Sequence, residues 1–251
     1  MKPTILPYGT DARVTLCRDM LEACADTLPE GTVHLLPIPS TRDGIHVRDT
    51  DTPLRSLLTP GAHIVGYGLP ASLTAAAEAV GARLCDVATD ETFTEENARL
   101  TAVGTLGYLL THTVCAPAQL RVGIVGYGRI GRHLCRLLLF LGASVRIYTG
   151  KPSVRHTLGA LGIDTCPTER GTVEPLSFAG LDVLINTAPA EGLISARCEA
   201  LPPLLLELAS GKNIPEDVPH VALPSLPARM YPRSAAAAYA HAACRALVGE
   251  G

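Results

Sequence analysis

Apolar residues recur along this chain in two patterns: short unbroken runs and longer stretches with helical spacing. In the first hundred residues, the runs end at glycine or proline and predict buried strands, while the spaced stretches predict helices. The predicted strands are 4–8, 32–36, 63–67 and 83–87, and the predicted helices are 11–25 and 71–80, with a helical turn at 53–58. Strands that alternate with helices in this way are typical of an α/β domain.

A long helix follows, and its spacing predicts that it begins after Thr94 and ends near Thr113. Thr94 is a suitable N-cap because its hydroxyl can accept from a free backbone N–H, and acidic residues follow it in the first turn. The segment Cys115 to Pro117 is the predicted link into a second domain. We therefore expect an N-terminal α/β domain over residues 1–115 and a second domain over 116–233. The pattern leaves open that the last helix, 234–251, packs back on the first domain.

The second domain repeats the alternation in the order of a Rossmann fold with a parallel sheet. Its predicted strands are 121–125, 144–149, 163–166, 181–186, 204–208 and 220–223, and its predicted helices are 129–142 and 153–161. The fold class is thus α/β with two domains.

A glycine-rich turn joins the first strand and helix of this domain, in the sequence RVGIVGYGRIGR at Arg121–Arg132. Its spacing is Gly-x-Gly-x-x-Gly: one glycine makes the turn, one lets a pyrophosphate approach the backbone, and one lets helix and strand pack closely. Free N–H groups at the helix start suit the phosphates. The predicted dinucleotide contacts are Gly126, Tyr127, Gly128, Arg129, Ile130 and Gly131. A glycine turn that serves packing alone remains the alternative.

The end of the second Rossmann strand predicts which nicotinamide cofactor binds. An acid there would bond the ribose 2′-hydroxyl of NAD, but this chain has Thr149, Lys151 and Ser153, with Arg155 beyond. Hydroxyls and cations suit a 2′-phosphate, so we expect NADP rather than NAD, although Lys151 could equally be a solvated turn residue.

Polar residues at the ends of later strands supply further candidates, because ligands bind at the carboxyl edge of such sheets. Asn186, Thr187 and Ala188 follow a central strand, and we expect them to contact cofactor or substrate. Ser210 and Gly211 follow the next strand and are weaker candidates. Ser225 and a loop at 229–231 are expected to close over the site.

Composition excludes several classes of protein. The chain has 251 residues, 47% of them hydrophobic, and a formal net charge of −3, so it is globular and offers no basic surface for nucleic acid or an anionic membrane. The start resembles no signal peptide, and the longest apolar run, Leu137 to Leu141, is too short to span a bilayer; we expect a cytoplasmic protein. Its eight cysteines follow no zinc-ligand spacing, so no metal is expected.

Several motifs together resemble those of the dipicolinate synthase A subunits, a family of spore-forming bacteria, over most of the chain. They are Gly9–Arg13, Leu35–Pro37 with Asp43–Gly44, Asn97 with Thr101 and Gly104, the INTAP of 185–189, the LELAS of 206–210, Leu226–Pro227 and Pro232–Ala235. The chain departs from the family pattern at Leu100, where proline is expected, at Val103, where an acid is expected, and at Arg233, which replaces lysine. It is also somewhat short for the family.

The resemblance implies an NADP-linked oxidation of dihydrodipicolinate, or of its hydrated precursor, to dipicolinate in the mother cell of a sporulating bacterium. A flavoprotein-like second subunit is the implied partner. A dicarboxylate substrate calls for arginines and hydroxyls, and the candidates are Arg13, Arg42 and Arg233, with Arg13 favoured. Asn97 and Thr101 share one helix face toward an interdomain cleft, although Asn97 could instead cap backbone. No sequence pattern indicates which residue would act as the general base.

Three other functions remain open. A D-2-hydroxyacid dehydrogenase would need an arginine where Ser210 lies. A shikimate-dehydrogenase-like enzyme would need a Lys–Asp pair in the first domain, which has no lysine after Lys2. A non-catalytic, nucleotide-binding regulatory subunit would need neither.

We also expect a homo-oligomer, since the apolar face of Ala235 to Ala238 suits either a second copy of the chain or the first domain.

Overall fold

The computed structural model, which describes residues 2–168, 176–211 and 213–249, divides the chain into two compact units. The first unit comprises Met1–Leu100 and Pro227–Gly251, and the second comprises Thr101–Leu226. The division lies within a long helix, Glu91–His112, whereas the predicted boundary at residue 115 lies in the loop after it. Both units are built on parallel sheets, which confirms the predicted α/β class with two domains.

The first unit contains a parallel sheet of four strands in the order β1-β2-β3-β4. The strands are β1 (Thr4–Pro7), β2 (Thr32–Leu35), β3 (His63–Gly66) and β4 (Arg83–Asp86), and the helices of this part of the chain are α1 (Ala12–Ala23), α2 (Thr74–Val80) and α3 (Glu91–His112). Gly81 ends α2 because it adopts the left-handed conformation, with φ of 71°, that glycine accepts without steric cost.

The second unit contains a parallel sheet of six strands in the order β10-β9-β8-β5-β6-β7. The strands are β5 (Arg121–Val125), β6 (Ser144–Tyr148), β7 (Asp164–Cys166), β8 (Val183–Asn186), β9 (Leu204–Glu207) and β10 (Val221–Ala222), and the helices are α4 (Arg129–Phe140) and α5 (Pro152–Ala160). The next helix, α6 (Leu226–Met230), begins at the last residue of the second unit, and its other residues belong to the first. The apolar strands β5 and β8 lie at its centre and are buried on both faces, as their unbroken hydrophobic runs predict.

The last helix, α7 (Pro232–Val248), belongs to the core of the first unit. Its alanines, including Ala236 and Ala243, are fully buried beside α1, because small side chains let two helices approach closely. Tyr239 is also fully buried, and its hydroxyl donates to the carbonyl oxygens of Leu36 and Val65 at 2.9 and 3.2 Å. The hydroxyl is thereby satisfied, so the ring can be buried without an orphaned polar group.

Three local predictions were wrong in detail. The long helix begins at Glu91 rather than after Thr94, because the Asp90 carboxylate accepts from the backbone N–H of Phe93 at 2.8 Å and caps it. The first turn of the helix predicted at 71–80 is a 3-10 turn, Ala71–Leu73. The segment predicted as a loop around Arg229 lies in α6.

Candidate dinucleotide site

The order of strands in the second unit creates a binding crevice at one edge of its sheet. From β5 the chain proceeds outward to β6 and β7, then returns to the opposite side of β5 with β8. Val125, at the end of β5, pairs with Tyr148 of β6 on one side and with Asn186 of β8 on the other. Loops leave these strands in opposite directions, so the carboxyl edge opens between β5 and β8, which is where doubly wound sheets bind ligands.

The glycine loop lies at this edge, and its neighbours explain two of its glycines. Gly126 has φ of 95°, which favours glycine, and a Cβ there would lie 2.7 Å from the hydroxyl of Thr187. A Cβ on Gly131 would collide with the carbonyl oxygen of Gly126. Gly128 is different, since a Cβ there would meet no atom within 4 Å. Packing therefore accounts for Gly126 and Gly131, whereas Gly128 faces open space.

The start of α4 completes the phosphate side of the site. Gly128 is its N-cap and has no side chain with which to cap the helix. The first N–H groups of α4 therefore remain directed toward the loop, and the helix dipole favours an anion there. Arg129 is exposed in the first turn, beside the same N–H groups.

A cavity of about 210 Å³ lies between the glycine loop and the end of β6. Its lining consists of Val125, Gly126, Tyr127, Gly128, Tyr148, Thr149, Gly150, Lys151, Thr168, Ala188 and Leu193. Among the described residues that line it, none is acidic. The structure thus brings together six of the predicted cofactor residues, and it adds Tyr148, Thr168 and Leu193, which no local motif marks.

Hydrogen bonds shape the Lys151 side of the cavity. The backbone N–H of Lys151 donates to the Thr149 hydroxyl at 3.3 Å, and the guanidinium of Arg155 donates to the Thr149 carbonyl oxygen at 3.0 Å. The turn is therefore held by its own neighbours, with the Lys151 side chain exposed at the rim. Ser153 is exposed in the first turn of α5 and does not line the cavity.

Asn186 and Thr187 support the loop from behind rather than lining the cavity. The Thr187 hydroxyl donates to the carbonyl oxygen of Val125 at 2.9 Å, which ties the β8 loop to the end of β5. Asn186 is buried, and its amide exchanges hydrogen bonds with the backbone N–H and carbonyl of Ala188. Of this group only Ala188 reaches the cavity wall.

Glu207 is a buried carboxylate that the sequence reasoning missed. Its two oxygens accept from the Asn186 amide at 3.1 and 3.0 Å, and one also accepts from the backbone N–H of Ala209 at 2.8 Å. Burial raises the pKa of Glu207, and hydrogen bonds from Asn186 and Ala209 only partly offset that effect. Glu207 therefore joins the loops after β8 and β9. The signal was present in the LELAS motif, where an acid interrupts a buried strand.

In the first unit, the structure places Arg13 in a buried ion network. Its guanidinium lies 2.9 Å from the Asp11 carboxylate, which also pairs with Arg48 at 3.1 Å, and it donates to the Asn97 side-chain oxygen at 3.2 Å. Arg13 is only 2% exposed. The sequence reasoning missed Arg48, which lies far from Arg13 in the chain and follows no motif.

The remaining substrate candidates occupy different environments. Arg233 is exposed in the first turn of α7. Thr101 is buried on α3 in the second unit, one helical turn beyond Asn97 of the first. Arg42 is exposed and pairs with Asp49 at 3.2 Å.

Within residues 2–168, 176–211 and 213–249, no group of three histidine, cysteine or acidic side chains could hold a metal ion. None of the helices described there has the length and apolarity to cross a bilayer.

The second unit thus has the strand order, glycine loop and carboxyl-edge crevice of a Rossmann fold, and solved structures share this fold. An alanine dehydrogenase matches with a TM-score of 0.58 at 15% identity, covering 99% of this chain and 89% of that one. A transhydrogenase from Sinorhizobium meliloti also has a TM-score of 0.58, at 16% identity, over 76% of this chain and 69% of that one.

The A subunits of dipicolinate synthase match more fully. The one from Bacillus halodurans has a TM-score of 0.78 at 19% identity and covers 98% of each chain. The Bacillus subtilis structure has a TM-score of 0.74 at 19% identity, over 100% of this chain and 96% of that one. No protein-family model and no curated protein matches the sequence. The resemblance inferred from the motifs is confirmed as a shared fold.

Proposed function

We propose that this protein is an NADP-dependent oxidoreductase of the dipicolinate synthase type. It oxidises dihydrodipicolinate, or its hydrated precursor, to dipicolinate in a sporulating mother cell, together with a flavoprotein-like second subunit. The observation that carries the proposal is the fold shared with two dipicolinate synthase A subunits over at least 96% of every chain compared. The likeness to an alanine dehydrogenase and to a transhydrogenase supports the broader oxidoreductase class.

In this proposal the glycine loop and the start of α4 hold the pyrophosphate. The open position at Gly128 admits it, and the free N–H groups of α4 bond it. Lys151 and Thr149, at the acid-free end of β6, bond the 2′-phosphate. Bound NADP⁺ supplies the acceptor for a hydride. Asn186, through Thr187 and Ala188, keeps the wall beside the glycine loop in place.

The substrate residues divide into two roles. Arg233 is exposed, so its guanidinium can bond a substrate carboxylate directly. Arg13 is buried, and we assign it a positioning role, in which it orients Asn97 toward the substrate. Thr101 is buried in the second unit, and its contact with substrate stays a prediction.

The direct test mixes the purified chain and its partner subunit with NADP⁺ and freshly made dihydrodipicolinate. The expected result is the appearance of pyridine absorbance together with NADPH. If no pyridine forms although NADPH binds normally, the synthase proposal is wrong, and a regulatory nucleotide-binding subunit becomes the better hypothesis.

The cofactor preference is tested with Lys151→Ala. Removing the ammonium group should weaken NADPH binding by roughly tenfold, or about 1.4 kcal/mol, and leave NADH binding unchanged, because only NADPH carries the 2′-phosphate. Calorimetric titration of both cofactors measures this. Lys2→Ala is the matched control, since Lys2 is a solvated lysine paired with Asp26 in the first unit. Equal affinities of the Lys151→Ala and wild-type proteins for NADPH would show that Lys151 does not bind the 2′-phosphate.

A further inference from the structure

Two half-buried thiols meet where α1 and α7 pack together in the first unit. The sulfur of Cys24 lies 3.9 Å from the sulfur of Cys244. Cys24 is the residue that ends α1, and Cys244 lies within the last helix. The two sulfurs are thus in van der Waals contact, although the two cysteines are 220 positions apart in the chain.

These two thiols differ from their neighbours in accessibility. Cys17, on the same helix, is fully buried, and burial raises its pKa far above the ordinary range. Cys85 is also buried, with a raised pKa for the same reason. Cys24 and Cys244 are partly exposed, so a small oxidant in solvent can reach them.

We propose that Cys24 and Cys244 form a modification site at which hydrogen peroxide produces an intrachain disulfide. The Cys24 sulfur attacks one peroxide oxygen, the O–O bond breaks, and the other oxygen leaves as water with the thiol proton, so that Cys24 becomes a sulfenic acid. The Cys244 sulfur then displaces the sulfenic hydroxyl, which leaves as a second water with the Cys244 proton. Overall, two thiols are oxidised to one disulfide while one hydrogen peroxide is reduced to two waters.

The geometry permits this step with little movement. A disulfide needs the sulfurs to approach from 3.9 Å to about 2 Å. Cys24 lies at a helix end, where the backbone is less constrained than in a helix interior. Burial, and then the neighbouring Cys24, raises the pKa of Cys244 to about 11. Cys244 therefore stays protonated at neutral pH, and its proton leaves with the second water.

The disulfide would join the two separate chain segments of the first unit. That unit is assembled from Met1–Leu100 and Pro227–Gly251, with the whole second unit between them in the sequence. A covalent link between α1 and α7 restricts the unfolded chain strongly, because it closes a very long loop. Oxidation should therefore stabilise the first unit.

The experiment uses the full chain with Cys115→Ser, which removes an exposed thiol that could cross-link two molecules. The protein is treated with hydrogen peroxide, remaining thiols are alkylated, and peptides are mapped by mass spectrometry without and with reductant. We expect one cross-linked peptide pair containing residues 24 and 244, lighter by two hydrogens and reversed by dithiothreitol. The oxidised protein should unfold at a temperature several degrees higher.

Variants separate this site from other cysteines. Cys24→Ser and Cys244→Ser should each abolish the cross-link, whereas Cys166→Ser, at a partly exposed cysteine of the second unit, should retain it. Peroxide treatment that yields sulfinic acid, a cross-link to another cysteine, or no loss of the two thiols would overturn the proposal. If a serine variant fails to fold, the peptide map of the parent protein decides alone.

Discussion

At the scale of single residues, neighbouring atoms distinguish glycines that look equivalent in the sequence. Gly126 and Gly131 are enclosed by the Thr187 hydroxyl and by the backbone of the loop itself, so packing alone would require them. Gly128 has space around it, and packing supplies no reason for a glycine there. A ligand that approaches the backbone closely would explain a glycine at this position.

Substituting Gly128 with alanine should therefore separate binding from stability. Its Cβ meets nothing within 4 Å, so the unfolding temperature should hardly change, while NADPH affinity should fall by at least roughly tenfold, or about 1.4 kcal/mol. Gly159→Ala is the control, since Gly159 lies exposed in α5 with equal space. That variant should gain about 0.8 kcal/mol of stability from helix propensity and bind NADPH normally. If both variants bind alike, Gly128 has no ligand role.

The buried pair of Asn186 and Glu207 supplies a second residue-scale test. Both carboxylate oxygens of Glu207 accept hydrogen bonds, and in Glu207→Gln an NH2 group replaces one of them. That NH2 group then faces another donor, which is either the Asn186 amide or the Ala209 N–H. A buried mismatch of this kind should cost about 1–3 kcal/mol. In the exchanged double variant, Asn186→Asp with Glu207→Gln, the amide at position 207 can donate to the carboxylate at position 186 while its oxygen accepts from Ala209.

Urea unfolding and NADPH titration of the two single variants and the double variant form a double-mutant cycle. We expect the double variant to recover most of the stability and NADPH affinity that Glu207→Gln loses. Additive losses in the double variant would show that the two side chains do not act as a pair.

At the scale of elements, α1 begins with buried charges rather than a solvated cap. Asp11 accepts from the backbone N–H of Arg13 at 3.0 Å and also pairs with the guanidinium groups of Arg13 and Arg48. Burial alone would raise the Asp11 pKa, but the ion pairs with Arg13 and then Arg48 outweigh it, so the pKa lies below its usual value. One carboxylate thus joins the helix start to the loop that carries Arg48.

Because its pKa is lowered in the folded protein, the Asp11 carboxylate makes a contribution to stability that depends on pH. The Asp11 carboxylate stabilises the fold at pH values above its unfolded pKa, about 3.9, and its contribution disappears as pH falls through the lower folded pKa. Asp11→Asn, which leaves two buried arginines without their shared partner, should cost about 3 kcal/mol at pH 7.

Urea unfolding at pH 7 and pH 3 measures the effect, and the difference between Asp11→Asn and wild type should shrink at the lower pH. Asp19→Asn, which alters a partly exposed pair with Arg18, should cost less than about 1 kcal/mol at either pH. A loss for Asp11→Asn that is independent of pH would contradict the assigned linkage.

At the scale of the whole molecule, the first unit is discontinuous in sequence. Its sheet and α1 come from the first hundred residues, whereas α7 comes from the last twenty-five and supplies the fully buried Tyr239 and alanines. The second unit is continuous and carries the complete Rossmann strand order. The hydrophobic cluster that contains α7 therefore requires both ends of the chain.

Much of the fold could be predicted because its signals are local. The strands of the second unit are apolar runs such as that of Val122 to Val125, and glycine and proline mark the helix ends. A few neighbouring residues are therefore enough to predict each element. The start of α3 was misplaced because Asp90 and Thr94 are both good caps, and the sequence does not say which one meets a free N–H. The roles predicted for the cofactor and substrate residues stay predictions.

The sequence by itself determined the α/β class, the glycine loop, the acid-free end of β6 and the likeness to the dipicolinate synthase A subunits. Each of these depends on residues close together in the chain or on motifs in a fixed order. Only the tertiary structure decided that Arg13 is buried with Asp11 and Arg48, that Glu207 holds Asn186, and that Cys24 meets Cys244. Apart from the pair of Asp11 and Arg13, these contacts join residues far apart in sequence, and their burial and charge depend on how strands and helices pack, which no local pattern records.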